Sequence, residues 1–211
     1  MPEQIKPMDI EKRSFEIITQ ILGDRVLDPE NELVIKRAIH TTADFDYADN
    51  LVFSEGAVPR ALEAIRNGAH IVTDTNMVKA GINKKTLAKF GGEVHCFVAD
   101  ADVAEEAKQR GVTRSTVSME RAAKLDVPVI FAIGNAPTAL IELDRLMREQ
   151  DLQPELIIGV PVGFVNVVES KELILQSQAP HIVARGRKGG SNVAAAIVNA
   201  LLYQLVHREG F

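Results

Sequence analysis

The stretch VPVIFAI, residues 127–133, is apolar throughout, and GNAPTAL, residues 134–140, follows at once. An apolar run without polar alternation reads as a strand covered on both faces, as in a parallel sheet. Glycine, asparagine and proline then mark a turn and a helix start. Working outward, AHIVTD (69–74) and EVHCFVA (93–99) precede it, and ELIIGVPV (155–162) and HIVARG (181–186) follow; all are short and rich in Val or Ile. Helical segments are expected between and after them, over about 76–90, 101–124, 135–150, 165–178 and 191–208. This βαβα alternation predicts an α/β fold, a parallel sheet of about five strands with right-handed crossovers. No repeat, low-complexity tract or linker interrupts it, so 1–211 reads as a single domain.

Two helices are expected before the sheet. In the first, Ile10, Ser14, Ile17, Ile18, Ile21 and Leu22 share a face at helical spacing. Ser14 is the polar member of that stripe; a hydroxyl there commonly bonds back to its own helix, and spacing favours that over a hydroxyl aimed into a pocket. The second covers about 30–42, with Asp28 as its cap and Pro29 in its first turn. His40 falls near its end, where the helix dipole favours the imidazolium. Asp44, Asp46 and Asp49 follow, and read as loop-capping or solvated residues rather than metal ligands.

Composition narrows the function classes. The 211 residues carry a net charge of −5, which argues against a general nucleic-acid binder. The one cysteine, Cys96, lies in a strand-like run, so a packing role in a reducing compartment is expected. MPEQIKPMDIEKR has no apolar signal core, and no run approaches the ~20 apolar residues of a membrane span. A cytoplasmic protein without membrane partners is the expectation.

Ligands of open parallel sheets bind beyond the carboxyl ends of the strands, so the loops there carry the candidate site. They are TDTNM (73–77), GVTRSTVS (111–118), GNAPTAL, PVGFVN (161–166) and RGRKGGSN (185–192). In the last, Arg185, Arg187 and Lys188 supply positive charge with no acid near them in sequence. Gly186, Gly189 and Gly190 allow close backbone approach, and Ser191 or Asn192 caps a helix whose free N–H groups suit an anion. A solvated basic turn is the plainer reading. GNAPTAL offers a second such start, with Gly134, Asn135, Ala136 and Thr138. PVGFVN, with Gly163 and Phe164, is either ordinary turn chemistry or an apolar wall.

HExxH, CxxC, GxSxG and Walker A patterns are absent, and no His pair stands at ligand spacing. His70, His95 and His181 fall at or within strands, where structural roles dominate, and His207 lies near the C-terminus. Metal hydrolysis and serine hydrolysis are both poorly supported, and no metal site is expected.

IHTTADFDYADNLVFS, GVTRSTVSMERA, AIGNAPTAL, GVPVGFVNVVESKELIL and ARGRKGGSNVAAAIVNALL, in this order, resemble the precorrin-8X (cobalt-precorrin-8) methylmutase family. The resemblance spans about Ser14 to Leu202. It implies a three-layer, flavodoxin-like, doubly wound sheet and a homodimer with its site near the subunit interface. It implies an isomerase of cobalamin biosynthesis that moves a methyl group from ring carbon 11 to ring carbon 12 of a contracted tetrapyrrole and uses no organic cofactor. The family's catalytic histidine falls on His40. Its first-helix serine falls on Ser14 and the arginine of its TRS motif on Arg114, beside Ser115. A macrocycle bearing several carboxylates suits an apolar floor ringed by N–H groups and cations such as Arg114, Arg185 and Lys188. Two other readings stay open: a carrier that holds the corrin without isomerising it, and a flavodoxin-like flavin or nucleotide binder.

Overall fold

The structure, a computed structural model, describes residues 9–206, so His207 lies outside it. One mixed sheet holds β1 (Leu51–Phe53), β2 (His70–Thr73), β3 (Val94–His95), β4 (Val129–Ile133), β5 (Leu156–Gly159) and β6 (His181–Ala184). Their order is β1-β6-β5-β4-β2-β3. The five anticipated strands are all present and mutually parallel. A sixth was not expected: β1 pairs antiparallel with β6, Leu51 opposite Ala184 and Phe53 opposite Ile182. Its three residues are too few to show a period at the end of an acidic stretch.

Successive strand residues face opposite layers, and the continuous apolar runs arise because both layers are packed. Ile71, Ile130, Ala132, Leu156, Ile158, Ile182 and Ala184 face one core. That core is closed by α2 (Glu32–Thr42), α4 (Ala57–Arg66) and α11 (Ser191–Leu205). Val72, Val129, Phe131, Ile133, Ile157 and Val183 face the other, closed by α8 (Arg114–Ala122), α9 (Pro137–Gln150) and α10 (Val167–Gln176). Each fully buried branched side chain is worth roughly 1.5–3 kcal/mol against leaving it in water, so the two cores hold the sheet and fix where its loops emerge.

Two expected helices are broken by capped turns. The 76–90 segment divides into α5 (Asn76–Gly81) and α6 (Lys84–Ala88), because Asn83 Oδ1 accepts from the Thr86 N–H at 3.1 Å and starts a new helix. The 101–124 segment divides into α7 (Ala101–Arg110) and α8, where Gly111 turns with φ +66° and Thr113 Oγ1 caps the Thr116 N–H. Two further helices, α3 (Tyr47–Asn50) and α4, had no expectation.

The first helix, α1 (Ile10–Leu22), corrects the expected stripe. Its buried row is Phe15, Ile18 and Leu22. Ile10, Ile17 and Ile21 are exposed at 52%, 41% and 60% and form a second apolar row around Ser14.

Candidate active site

β2, β4, β5 and β6 end at one side of the sheet, and the loops that follow them are bonded to one another. Asp74, just past β2, is 1% exposed and is the anchor of the first group. Its carboxylate accepts from the N–H groups of Gly134 (2.9 Å), Asn135 (2.7 Å) and Ala136 (2.6 Å). Burial pushes the Asp74 carboxyl above its ordinary value, against three donors that favour the charged form. The backbone anion point expected at GNAPTAL is therefore filled from within the protein. Any ligand contact by Gly134, Asn135 or Ala136 must use other atoms.

The RGRKGGSN loop is held by the opposite charge. Lys171, fully buried on α10, donates from Nζ to the carbonyls of Gly186 (2.7 Å) and Lys188 (2.9 Å). Burial pulls its ammonium down to about 8. Gly190 N–H donates to the Val160 carbonyl, and Gly163 N–H to the Arg187 carbonyl. The Arg187 guanidinium donates to the Phe164 carbonyl at 2.7 Å and lies over the Phe164 ring. These glycines serve backbone-to-backbone packing: a Cβ on Gly189, at φ +158°, would stand 2.1 Å from the Val160 carbonyl oxygen. A Cβ on Gly134 would stand 2.7 Å from Ser191 Cα, so the loops after β4 and β6 touch directly. Thr75 and Ser191 hydroxyls meet at 3.0 Å, and Thr113 donates to Thr138 at 3.1 Å.

The acidic stretch after α2 closes this cluster. Ala43 ends the helix in the left-handed conformation, φ 56°, and turns the chain toward the sheet's carboxyl end. Asp44 and Asp46 then both hold the Lys188 ammonium, at 2.7 and 2.6 Å. Lys188 depresses the Asp44 carboxyl, and the two aspartates raise the lysine well above its ordinary value. Asp49 pairs instead with Arg25 at 2.8 Å. The basic loop was expected to have no acid nearby; two carboxylates lie on Lys188, and Glu172 lies 3.5 Å from Arg185. The sequence hid these partners because they are far away along the chain.

His40 is exposed near the end of α2, one turn before Asp44. Its ring stacks on Phe15 of α1, centroids 5.6 Å apart. Burial, and then the Arg37 charge, lower its pKa from the ordinary value, opposed by Glu11. The expected rise is thus reversed: the charge that acts most on the ring is the Arg37 cation, itself paired with Glu11, and the three aspartates bond elsewhere. Ser14 Oγ donates to the Ile10 carbonyl at 2.8 Å, the back-bonding that spacing favoured. Arg114 is exposed at the first position of α8 and has no ion-pair partner among the described residues, whereas Ser115 is 8% exposed and faces the core. Phe164 and Val165, exposed at 82% and 79%, form an apolar projection beside the basic loop.

A separate cavity of about 1290 Å³ opens at the other end of the sheet, lined among others by Arg60, Asn67, Pro128, Arg148, Gln153 and Gln176. None of the loop residues above borders it. Among the described residues, no helix is long and apolar enough to cross a membrane.

The described residues here include an exposed imidazole, a guanidinium without an ion-pair partner among them, and a basic, glycine-rich loop beside the exposed Phe164. Comparison with known proteins gives the chain a family. The family model for precorrin-8X methylmutase matches residues 9–204. The chain is 44% identical to a cobalt-precorrin-8 methylmutase of Priestia megaterium, over 95% of this chain and 89% of that protein. It is 47% identical to one of Salmonella typhimurium, over 95% and 96%. A crystal structure of precorrin-8X methylmutase from Thermus thermophilus superposes with a TM-score of 0.86 at 38% identity, covering 94% of this chain and 98% of that one. With the family matched along nearly its whole described length, the chain belongs to the precorrin-8X methylmutases.

Proposed function

We propose that this protein is a cobalamin-pathway isomerase that moves a methyl group from ring carbon 11 to ring carbon 12 of precorrin-8 or its cobalt form, giving hydrogenobyrinic or cobyrinic acid. His40 is the acid that starts the shift. The imidazolium gives its proton to the conjugated macrocycle next to the migrating methyl. The methyl migrates within the ring system, and the proton returns to His40 when the product forms, since substrate and product are isomers. No external nucleophile is required. General acid catalysis of this kind is typically worth ~10²–10⁴-fold.

The observation that carries the reading is the position of His40, one helical turn before the carboxylate that holds Lys188 of the basic loop. An acid beside a polyanion site has no evident use in a carrier. The downward shift of His40 in the free protein supports a coupled step. An imidazole made a stronger acid by burial and Arg37 takes up its proton as the substrate's carboxylates arrive. Arg114 and Arg185 are the carboxylate contacts in this reading. Gly163 and Phe164 form part of the apolar wall, Thr138 borders it with Ser115 supporting it from the core side, and the start of α11 at Ser191, just past Gly189 and Gly190, holds a further carboxylate on its free N–H groups.

The fold reading extends to the flavodoxin-like class: counted among themselves, the five parallel strands run 2-1-3-4-5. Residues 1–211 act as one cytoplasmic domain. The exposed row of Ile10, Ile17 and Ile21 supports a homodimer, since contiguous exposed apolar surface marks an interaction site. The relatives at 44% and 47% identity are both named for the cobalt form, so that substrate is the first to test.

The test is to mix the protein with cobalt-precorrin-8 and with precorrin-8 and to follow the visible spectrum and the mass. A new spectrum at unchanged mass is expected. A bound but unchanged tetrapyrrole would favour the carrier. Yellow absorbance in the purified protein, or tight mononucleotide binding, would favour the flavodoxin-like alternative.

A further inference from the structure

Along the chain no two histidines stand at metal-ligand spacing, but the sheet makes such a pair. β2 and β3 are parallel, with Ile71 opposite Val94 and Val72 opposite His95. Alternation along each strand then puts His70, Glu93 and His95 on one face of the sheet edge. His70 Nδ1 and His95 Nε2 stand 2.8 Å apart. One ligand atom from each of His70, Glu93 and His95 lies within 4.8 Å of the others. The two imidazoles are half-buried and Glu93 is exposed, so the cluster is open to solvent on one side.

We infer that His70, Glu93 and His95 bind a divalent first-row transition metal ion, zinc(II) being the probe of choice. Two imidazole nitrogens and a carboxylate oxygen are three protein ligands of a tetrahedral zinc site, with water in the fourth position. The same donor set disfavours magnesium and calcium, which take oxygen ligands. Two zinc–nitrogen bonds of about 2.0–2.1 Å at a tetrahedral angle need the two nitrogens to separate by roughly half an ångström from their hydrogen-bonded spacing. The rings already have defined orientations. His95 lies against His70, centroids 5.1 Å apart, and against Phe97 at 5.8 Å, both at 16°. The Arg121 guanidinium covers Phe97, and Thr73 Oγ1 donates to the His95 carbonyl at 3.2 Å. These contacts pack the His95 ring from behind and tie down its backbone.

The site is at the β2–β3 edge of the sheet and does not depend on the methyl-shift reading. β3 has only two residues, and a bound ion ties it to β2. Metal should therefore stabilise the fold by mass action without entering the reaction.

The test is equilibrium dialysis of the metal-stripped full chain against zinc(II) and, separately, magnesium(II), near neutral pH, with melting curves alongside. One equivalent of zinc bound in the micromolar range, no magnesium at the same concentration, and a zinc-dependent rise in melting temperature are expected. His70→Gln and His95→Gln should each abolish the stoichiometric binding. Glu93→Gln, at an exposed position that carries no folding risk, should weaken it by at least roughly tenfold, the size that loss of even an outer-shell partner has. His40→Gln should leave zinc binding intact. No stoichiometric binding, or binding that survives all three ligand variants (an adventitious ion only), would overturn the inference.

Discussion

The loop after β4 and the loop after β6 both lead into helices at the same end of the sheet, yet a buried anion holds one and a buried cation the other. Asp74 draws in three amide N–H groups at the start of α9, and Lys171 draws in two carbonyls before α11. In the first case the donors of the helix start are already satisfied. In the second, among the described residues, no acceptor meets the N–H groups of Ser191, Asn192 and Val193. A glycine-led helix start is therefore not an anion site for a ligand merely because of its sequence; whether the protein supplies its own anion decides. The difference also separates scaffold from site. Asp74 completes the packing of β2 against the β4 loop, whereas Lys171 sets the shape of a loop whose other side carries Arg185, Arg187 and Lys188.

The sharpest way to break this comparison is Asp74→Ala. It leaves three amides without their acceptor, two of them beside the Gly134–Ser191 contact. A loss of roughly 3–5 kcal/mol in unfolding free energy is expected by denaturant titration, with activity lost in parallel. Asp74→Asn keeps the shape and one acceptor and should lose less. A stable Asp74→Ala protein would mean that water replaces the carboxylate and that the loop is not held as described.

Lys171→Met should behave differently. The substitution removes a desolvated charge at similar length, and the two carbonyls it leaves belong to a loop whose Gly186 and Lys188 are partly or fully exposed, so water can take the donor's place at little cost in stability. The Gly186 and Lys188 carbonyls, however, lose the donor that fixes the loop. A melting temperature within a few degrees of wild type, with conversion slowed by roughly tenfold or more, is expected, since small misplacement of binding groups is costly. A large drop in melting temperature at full activity per folded molecule would reverse the assignment of scaffold and site.

The pH dependence of stability sharpens the same point. Burial holds the Lys171 ammonium at about 8 in the folded protein against an ordinary value of 10.5. Between those values the unfolded chain binds the proton and the folded one does not, so this residue's contribution to stability rises with pH across that window and is lost as pH falls through the lower value. The melting-temperature difference between wild type and Lys171→Met should move in favour of wild type from the lower to the upper end of this window. A flat difference would mean that the lysine is not desolvated.

The smallest effect is expected for Lys188→Ala. The ion pairs to Asp44 and Asp46 are exposed, and exposed pairs contribute little to stability. Melting should be unchanged while KM for the tetrapyrrole rises several-fold, because the acidic stretch is released from the loop.

β4, β5 and β6 were legible because each is buried along its whole length, and β2 nearly so, whereas β3 is a half-buried pair of residues at the edge, found only from the apolar run around it. β1 was not, being three residues long and defined by its partner rather than by a pattern. α4 was hidden because Gly56 and Pro59 break up its first turn, a position where proline is nonetheless tolerated. In the site, the loops could be found from their place after the strands, and His40, Ser14 and Arg114 through family motifs. What the sequence could not show is which charge meets which. Asp74 finds its amides 60 to 62 residues on, and Lys188 finds Asp46 142 residues back. The His70–Glu93–His95 cluster depends on a strand register that no spacing rule contains.

The central claim is that His40 gives the proton that moves the methyl group. Single-turnover conversion of the substrate by wild type and by His40→Ala, with tetrapyrrole binding measured on both, tests it most directly. The account predicts bound substrate in both proteins and conversion slowed by roughly 10²–10⁴-fold in the variant. Equal conversion rates at equal binding would remove His40 from the chemistry and leave the family reaction without its proposed acid.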